Sequence, residues 1–255
     1  KTTLIVRKEE KTIRLYVHIG TGNYNPKTAK LYTDLGLFSC DGRLGRDLIK
    51  LFNYLTGYAR NQSFDRLLVA PINLRARMVE MIERERNLAL DNKPGRIIAK
   101  MNSLVDPQII RKLYEASQAG VQIDLIVRGM CCLRPGLKGV SENIRIISVI
   151  GRFLEHSRIF YFGNNGEDEI YIGSADWMNR NLNRRIEAVV PIDTPALKQE
   201  LKDLLDLFLN DRRQAWELQS DGSYIQRRPQ PGEDDRGVHK ILMAQTLASV
   251  EPLQG

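Results

Sequence analysis

The apolar positions change period along the chain. Residues 3–7 and 13–19 are rich in β-prone residues, and Arg14–Ile19 alternates in polarity, which predicts two strands joined as a hairpin around Lys8-Glu9-Glu10-Lys11. Leu44, Leu48, Leu51, Phe52 and Leu55 then recur at helical spacing and predict a helix over about 43–59. This first part closes near Arg60-Asn61-Gln62-Ser63. From Arg66 strands and helices alternate: strand 67–70, helix 73–90, strand 96–101, helix 107–118, strand 121–127. Such a βαβαβ succession predicts a largely parallel sheet covered by helices. Asp106-Pro107 and Thr194-Pro195 each read as an N-cap followed by proline at the first helical position, the second opening a helix over 195–210. Between them strands are predicted at 144–150, 157–162, 169–173 and 185–190. A polar, turn-rich run from Leu218 to Arg236 precedes a last amphipathic helix at about 236–249.

Two strand ends carry the same short pattern. Ile19-Gly20-Thr21-Gly22-Asn23-Tyr24 and Ile172-Gly173-Ser174-Ala175-Asp176-Trp177 both read Ile, Gly, hydroxyl, small, Asn or Asp, aromatic. Their flanks match as well. The second copy is preceded by His156-Ser157-Arg158, a strand and a turn, and the first by Lys1, a strand and a turn. If Lys1 corresponds to Arg158, the counterpart of His156 lies two residues upstream of this chain, which is then a fragment beginning just after a functional histidine. The chemistry of such a pattern is phosphoryl recognition. A histidine on a strand can attack or protonate a phosphoryl group, and a Lys or Arg two residues on shares its face and offsets the phosphate charge. A glycine turn offers backbone N–H groups, a hydroxyl and an amide, with glycine allowing close approach. Lys1, Thr21, Asn23, Arg158 and Ser174 are therefore candidate phosphate contacts, and two facing half-sites supply one nucleophile and one general acid. Arg128 follows the apolar strand Ile123–Val127, at the carboxyl end where open sheets bind ligands.

Composition narrows the class. The chain has 255 residues, 42% hydrophobic and 27% charged, ordinary for a globular protein of one large or two small domains. No apolar run approaches the roughly 20 residues of a membrane span. The formal charge of +7 favours an anionic partner without naming it. Three cysteines, Cys40 and the adjacent Cys131 and Cys132, do not fit zinc spacing and suit a reducing cytoplasm; the pair reads as small buried groups. Arg75, Arg77, Arg84 and Arg86 lie among acids at helical spacing, a solvated face rather than an anion groove.

The paired motifs resemble the phospholipase D superfamily, whose halves each carry His-x-Lys and a Gly-Ser/Thr-x-Asn turn. The stretches "YVHIGTGNYNPKTAKLYTDLGL", "VRGMCCLRPG" and "EHSRIFYF" with "YIGSADWMNRNL" resemble more closely the catalytic C-terminal region of bacterial polyphosphate kinases, from Lys1 to about Asn210. The resemblance implies an α/β fold of two phospholipase D-like halves: mixed β-sheets flanked by helices, with a pseudo-twofold site between. The halves are a truncated first domain, 1–66, and a second domain with a C-terminal helical tail, 67–255. It implies reversible transfer of the ATP γ-phosphate to polyphosphate through the upstream histidine, with ATP contacts from Tyr32, Arg128 and His156 and with His156 as proton donor. His18, conspicuous in the motif, is a second catalytic candidate beside a structural reading. Magnesium on the nucleotide is expected to find its ligands upstream of this chain. ATP, ADP and inorganic polyphosphate are the implied partners, with homo-oligomerisation of the full-length protein and no nucleic acid. The implied location is cytoplasmic, with peripheral attachment to the inner membrane as an alternative. The second half departs from the superfamily at Arg158 and Asp176, where Lys and Asn are usual, which argues against a phosphodiesterase or nuclease. A non-catalytic polyanion-binding module is the other reading left open.

Overall fold

A computed structural model describes residues 1–59 and 62–249; the expected boundary at Arg60-Asn61 lies outside them. β1 (Thr2–Glu9) and β2 (Thr12–Gly20) form the expected hairpin, and β4 (Gly36–Ser39) adds to β2 to complete a three-stranded antiparallel sheet. Helix α1 (Gly42–Leu55) begins at Asp41, whose side chain accepts from Arg43 N, and stops short of the expected end, with Gly57 at φ +76° just beyond it. Leu44, Leu48 and Leu51 of α1 bury against Val17 and Ile19 of β2.

The second part is built on a nine-stranded sheet. Its strands are β5 (Leu68–Ala70), β6 (Arg96–Met101), β7 (Gln122–Val127), β8 (Ile144–Val149), β10 (Ile159–Phe162), β11 (Glu169–Gly173), β12 (Glu187–Ile192), β13 (Ala215–Leu218) and β14 (Tyr224–Gln226). They lie in the order β14-β13-β8-β7-β6-β10-β11-β12-β5. Only β6, β7 and β8 pair parallel; the remaining pairings are antiparallel. The expectation of a largely parallel sheet is thus corrected to a mixed one. β5 does not pair with β6, because the hairpin of β10 and β11, followed by β12, inserts between them. β14 falls in the segment read as a turn-rich tail and β13 in the stretch just before it, where no strand is predicted; their ladder partners are β8 and each other, so the local sequence carries little sign of them.

Helices α2 (Leu74–Leu90) and α3 (Pro107–Gln118) cover one face, and α4 (Pro195–Leu209) with α1 covers the other. Asp106 caps α3 by accepting from Gln108 N and Ile109 N, whereas Thr194 makes no side-chain cap to α4. The arginines of α2 pair with acids, Arg75 with Asp106, Arg84 with Glu169 and Arg86 with Glu115. The two parts share one apolar cluster, in which Leu48 and Leu51 of α1 meet Val69, Ile172 and Val190. Asp47, 1% exposed, fastens the junction by accepting from the backbone N–H groups of Asp65, Arg66 and Leu67. A short parallel pair, β3 (Tyr32–Thr33) with β9 (Leu154–Glu155), makes a second link between the parts. Helix α5 (Val238–Ser249) closes the described chain. None of the described helices is long and apolar enough to cross a membrane.

Candidate functional site

The two sequence repeats are repeats in register. Thr2 stands opposite Ile19 as Ile159 stands opposite Ile172, which places Lys1 at the ladder position of Arg158. On the other side, Ile19 faces Leu37 as Ile172 faces Val190. Beyond each strand the hydroxyl residue continues the pattern. Thr21 N donates to Leu35 O at 2.9 Å and Ser174 N to Ala188 O at 3.0 Å. In return, Leu35 N donates to Thr21 Oγ1 at 2.9 Å and Ala188 N to Ser174 Oγ at 3.3 Å. Both hydroxyls are buried and engaged in holding their own corners, Ser174 Oγ also donating to Glu187 Oε2 at 2.5 Å. The glycines serve the protein's own packing rather than ligand approach. A Cβ on Gly173 would lie 2.4 Å from Ala188 O, and one on Gly22 would lie 1.5 Å from an Asp34 carboxylate oxygen.

These corners meet at one end of the large sheet. His156 follows β9, and its Nδ1 lies 2.9 Å from Thr21 O of the first corner. Arg158 spans to the second corner: Nε to Asp176 Oδ1 and Nη2 to Asp176 Oδ2 are each 3.2 Å, a two-toothed ion pair with both side chains buried. The two departures from the superfamily pattern are therefore one feature, since a planar guanidinium in place of lysine is matched by a carboxylate in place of the amide. Asp176 Oδ1 also accepts from Asn102 N at 2.8 Å, and Asn102 Oδ1 accepts from Arg128 Nε at 3.0 Å. Arg128 thus joins the cluster through Asn102, which sits beyond β6 as Arg128 sits beyond β7; the strand-end rule that singled out Arg128 applies equally to Asn102. Lys1 is half-buried, and burial followed by the nearby Arg158 and Arg185 lowers its pKa against the opposing pull of Glu187 and Asp176. Glu187, placed by sequence in a strand without a role, is bonded by Ser174 and by Asn181 Nδ2 at 2.7 Å.

The His156 ring is stacked on Tyr32, with centroids 4.8 Å apart and planes 18° from parallel. Arg158 Nη1 lies 2.7 Å both from His156 Nδ1 and from His156 O. Because Thr21 O can only accept, the 2.9 Å contact requires the proton on Nδ1, and Nε2 is the ring atom left for a ligand while Arg158 Nη1 donates to the His156 carbonyl. Burial first and the Arg158 charge second push the imidazole down to about 4, so it is neutral at pH 7. Titration of the ring signals by NMR, assigned with His156→Gln, is expected to give a midpoint near 4 that rises by about one unit or more with tripolyphosphate, whose charge offsets Arg158 and Lys1. An ordinary midpoint near 6.5, unmoved by the anion, would falsify this environment.

The other candidates lie apart from this contact chain. His18 Nδ1 is 2.6 Å from Tyr24 Oη and its ring packs on Phe38 at 4.5 Å. Asn23 is exposed, its carbonyl accepting from Asn25 N. The aromatics that end the two motifs also differ: Tyr24 is 58% exposed, whereas Trp177 is buried and stacked on Phe160. Cys132 is exposed and Cys131 half-buried in the loop after β7, correcting the reading of both as buried. Among the described residues no three of His, Cys, Asp and Glu gather as a metal cage, and Asp176 and Glu187 are already bonded within the protein. The residues present do not fit a magnesium site of their own.

Known proteins match this chain over most of its length. The model of polyphosphate kinase C-terminal domain 1 matches residues 1–61, and that of C-terminal domain 2 matches residues 67–237. A polyphosphate kinase of Synechocystis is 68% identical over 97% of this chain and 34% of its own length; one of Pseudomonas aeruginosa is 50% identical over 98% of the chain and 36% of its length. The crystal structure of polyphosphate kinase from Porphyromonas gingivalis is 37% identical and superposes with a TM-score of 0.89, covering 98% of this chain and 39% of that one. The chain spans about a third of the length of the curated relatives it matches. With its two matching corners and most of its length covered by these domain models, the chain belongs to the polyphosphate kinase family.

Proposed function

We propose that this chain is the C-terminal part of an enzyme that transfers the γ-phosphoryl of ATP reversibly to polyphosphate, and that the corner cluster is its transfer site. The observation that carries the reading is the hydrogen bond of His156 to Thr21 O, by which the imidazole of one half sits against the glycine corner of the other. The nucleophile in this reading is a histidine two residues before Lys1, on the ladder continuation of β1. Its ring nitrogen attacks the γ-phosphorus, the bond to the ADP oxygen breaks, and a phosphohistidine forms; the terminal oxygen of the polymer then displaces the histidine. A phosphoramidate retains a high transfer potential, so ADP and abundant polymer drive the reverse reaction.

His156 enters as the acid. The arriving triphosphate of ATP offsets the charges of Arg158 and Lys1, the ring takes a proton from solvent on Nε2, and that proton is given to the departing ADP oxygen; in the reverse reaction the departing oxygen is that of the polymer. Arg128 and Lys1 hold the transferring group, Tyr32 borders the nucleotide beside His156, and the Thr21 and Ser174 hydroxyls keep the backbone corners in place. We assign His18 and Asn23 to shaping the first corner. Magnesium bound to the nucleotide takes its protein ligands from outside this chain, and no step is routed through it here. The two phospholipase D-like halves, the cytoplasmic location and assembly of the full-length protein belong to the same reading.

The test is incubation of the full-length protein with γ-labelled ATP. Acid-labile, base-stable label on the protein together with long labelled polymer supports the transfer. Free labelled phosphate without polymer overturns it, and cleavage of DNA points to the phosphodiesterase reading.

A further inference from the structure

Behind His156 lies a buried ionic cluster that the transfer step does not use. His156 and Arg158 face the site, while Glu155 and Ser157, on either side of His156 in the chain, face a cavity of about 830 Å³ bordered by α4 and α5. Lys100 Nζ donates to Glu155 Oε2 at 2.7 Å and to Ser157 Oγ at 2.7 Å, so a single ammonium grips both chain neighbours of the imidazole. The other carboxylate oxygen, Glu155 Oε1, lies 2.5 Å from Nε2 of His239 in the first turn of α5. Phe153 N approaches His239 Nδ1 at 3.4 Å, so Nδ1 accepts and Nε2–H donates. Lys100, Glu155 and His239 are all nearly inaccessible, at 2%, 3% and 2% exposure. The start of α5 is itself anchored, since Val238 N donates to Asp211 Oδ2 at 2.7 Å.

Fold stability alone gives no reason for these charges. Lys100 is buried on β6 on the same face as Ile98, with its Nζ over the Phe208 ring at 4.5 Å. An apolar side chain there would avoid the desolvation that a buried ion pair only partly recovers. What the cluster adds is geometry: it fixes the backbone on either side of His156 to β6 and to α5 at once.

We propose that Lys100, Glu155 and His239 form a positioning unit that seats the His156 ring against Thr21 and makes transfer depend on the docking of helix α5. This rests on the reading of His156 as the group facing the transferred phosphoryl. The experiment compares His239→Leu and His239→Gln in the full-length enzyme, because a glutamine amide can donate in place of Nε2–H. His239→Leu is expected to lower kcat about tenfold with the KM for ATP within about twofold, as a misplaced group does. Its His156 midpoint should climb from about 4 toward the ordinary 6.5, as the ring loses its buried seat among Arg158, Lys1, Asp176 and Thr21 O. His239→Gln should stay near the parent in both. Unchanged kcat and midpoint in His239→Leu, or a glutamine variant as impaired as the leucine one, overturns the proposal. Should His239→Leu fail to fold, Glu155→Gln is judged by the same rate and midpoint criteria. A parent enzyme that makes no polymer ends the transfer reading instead, and the His156 midpoint in His239→Leu then decides the positioning claim alone.

Discussion

If His156 is the general acid proposed above, replacing it by alanine in the full-length enzyme is expected to lower ATP-dependent polymer synthesis by about 10²–10⁴-fold. The variant removes the proposed proton donor and also the ring on which Tyr32 stacks, so the KM for ATP is expected to rise alongside the fall in kcat. The measurement is steady-state formation of labelled polymer by the parent and the variant over pH 5–9. Because the Arg158–Asp176 pair remains, the fold should persist, and an unchanged melting temperature separates lost chemistry from lost structure. Turnover within twofold of the parent removes His156 from the transfer step.

The second large effect is on stability. Lys100→Ala leaves the Glu155 carboxylate buried with its ammonium partner gone, and removing one member of such a pair costs about 3–5 kcal/mol. Burial opposes the charge on Glu155, yet the Lys100 charge and the hydrogen bonds from His239 and Lys100 overcome it and hold the carboxyl down at about 2. Its contribution is therefore present above the ordinary value of 4.5 and is lost as pH falls from there through about 2. His156 acts in the same direction at higher pH: folded, it binds fewer protons than the unfolded chain between 6.5 and about 4, so acidification through that window also favours unfolding. Urea unfolding at pH 7 and pH 4 reads the His156 window, and at pH 4 and pH 2 that of Glu155. The double variant Lys100→Met with Glu155→Gln, which removes both charges, should regain most of the loss. A Lys100→Ala variant within about 1 kcal/mol of the parent shows that the carboxylate finds water or another partner.

Parts of this organisation are legible residue by residue. The β1–β2 hairpin, α2, α3, β6 and β7 follow from local period and caps, as Asp106 at the start of α3 illustrates. The six-residue repeat, aligned on Lys1 and Arg158, matches a register that the ladders keep to the residue. Other features depend on partners far along the chain. β12 pairs with β5 across more than a hundred residues, and β13 is a strand because β8 offers it an open edge. Arg158 and Asp176 look like two separate departures in the sequence and become one ion pair only when β10 and the end of β11 are side by side. Lys100, Glu155 and His239 carry no motif; each lies in a different element, and their relation appears only once α5 folds back behind β9.

By itself the sequence determined the main helices and most of the longer strands, where the two glycine corners fall, and which family the chain resembles. Those features arise from side-chain period, turn chemistry and residue identity over a few consecutive positions. Tertiary structure alone decided the mixed order of the sheet, the placing of His156 against Thr21, and the buried charges behind it. Ladder partners and compensated buried ions depend on contacts between distant segments, which no local stretch encodes.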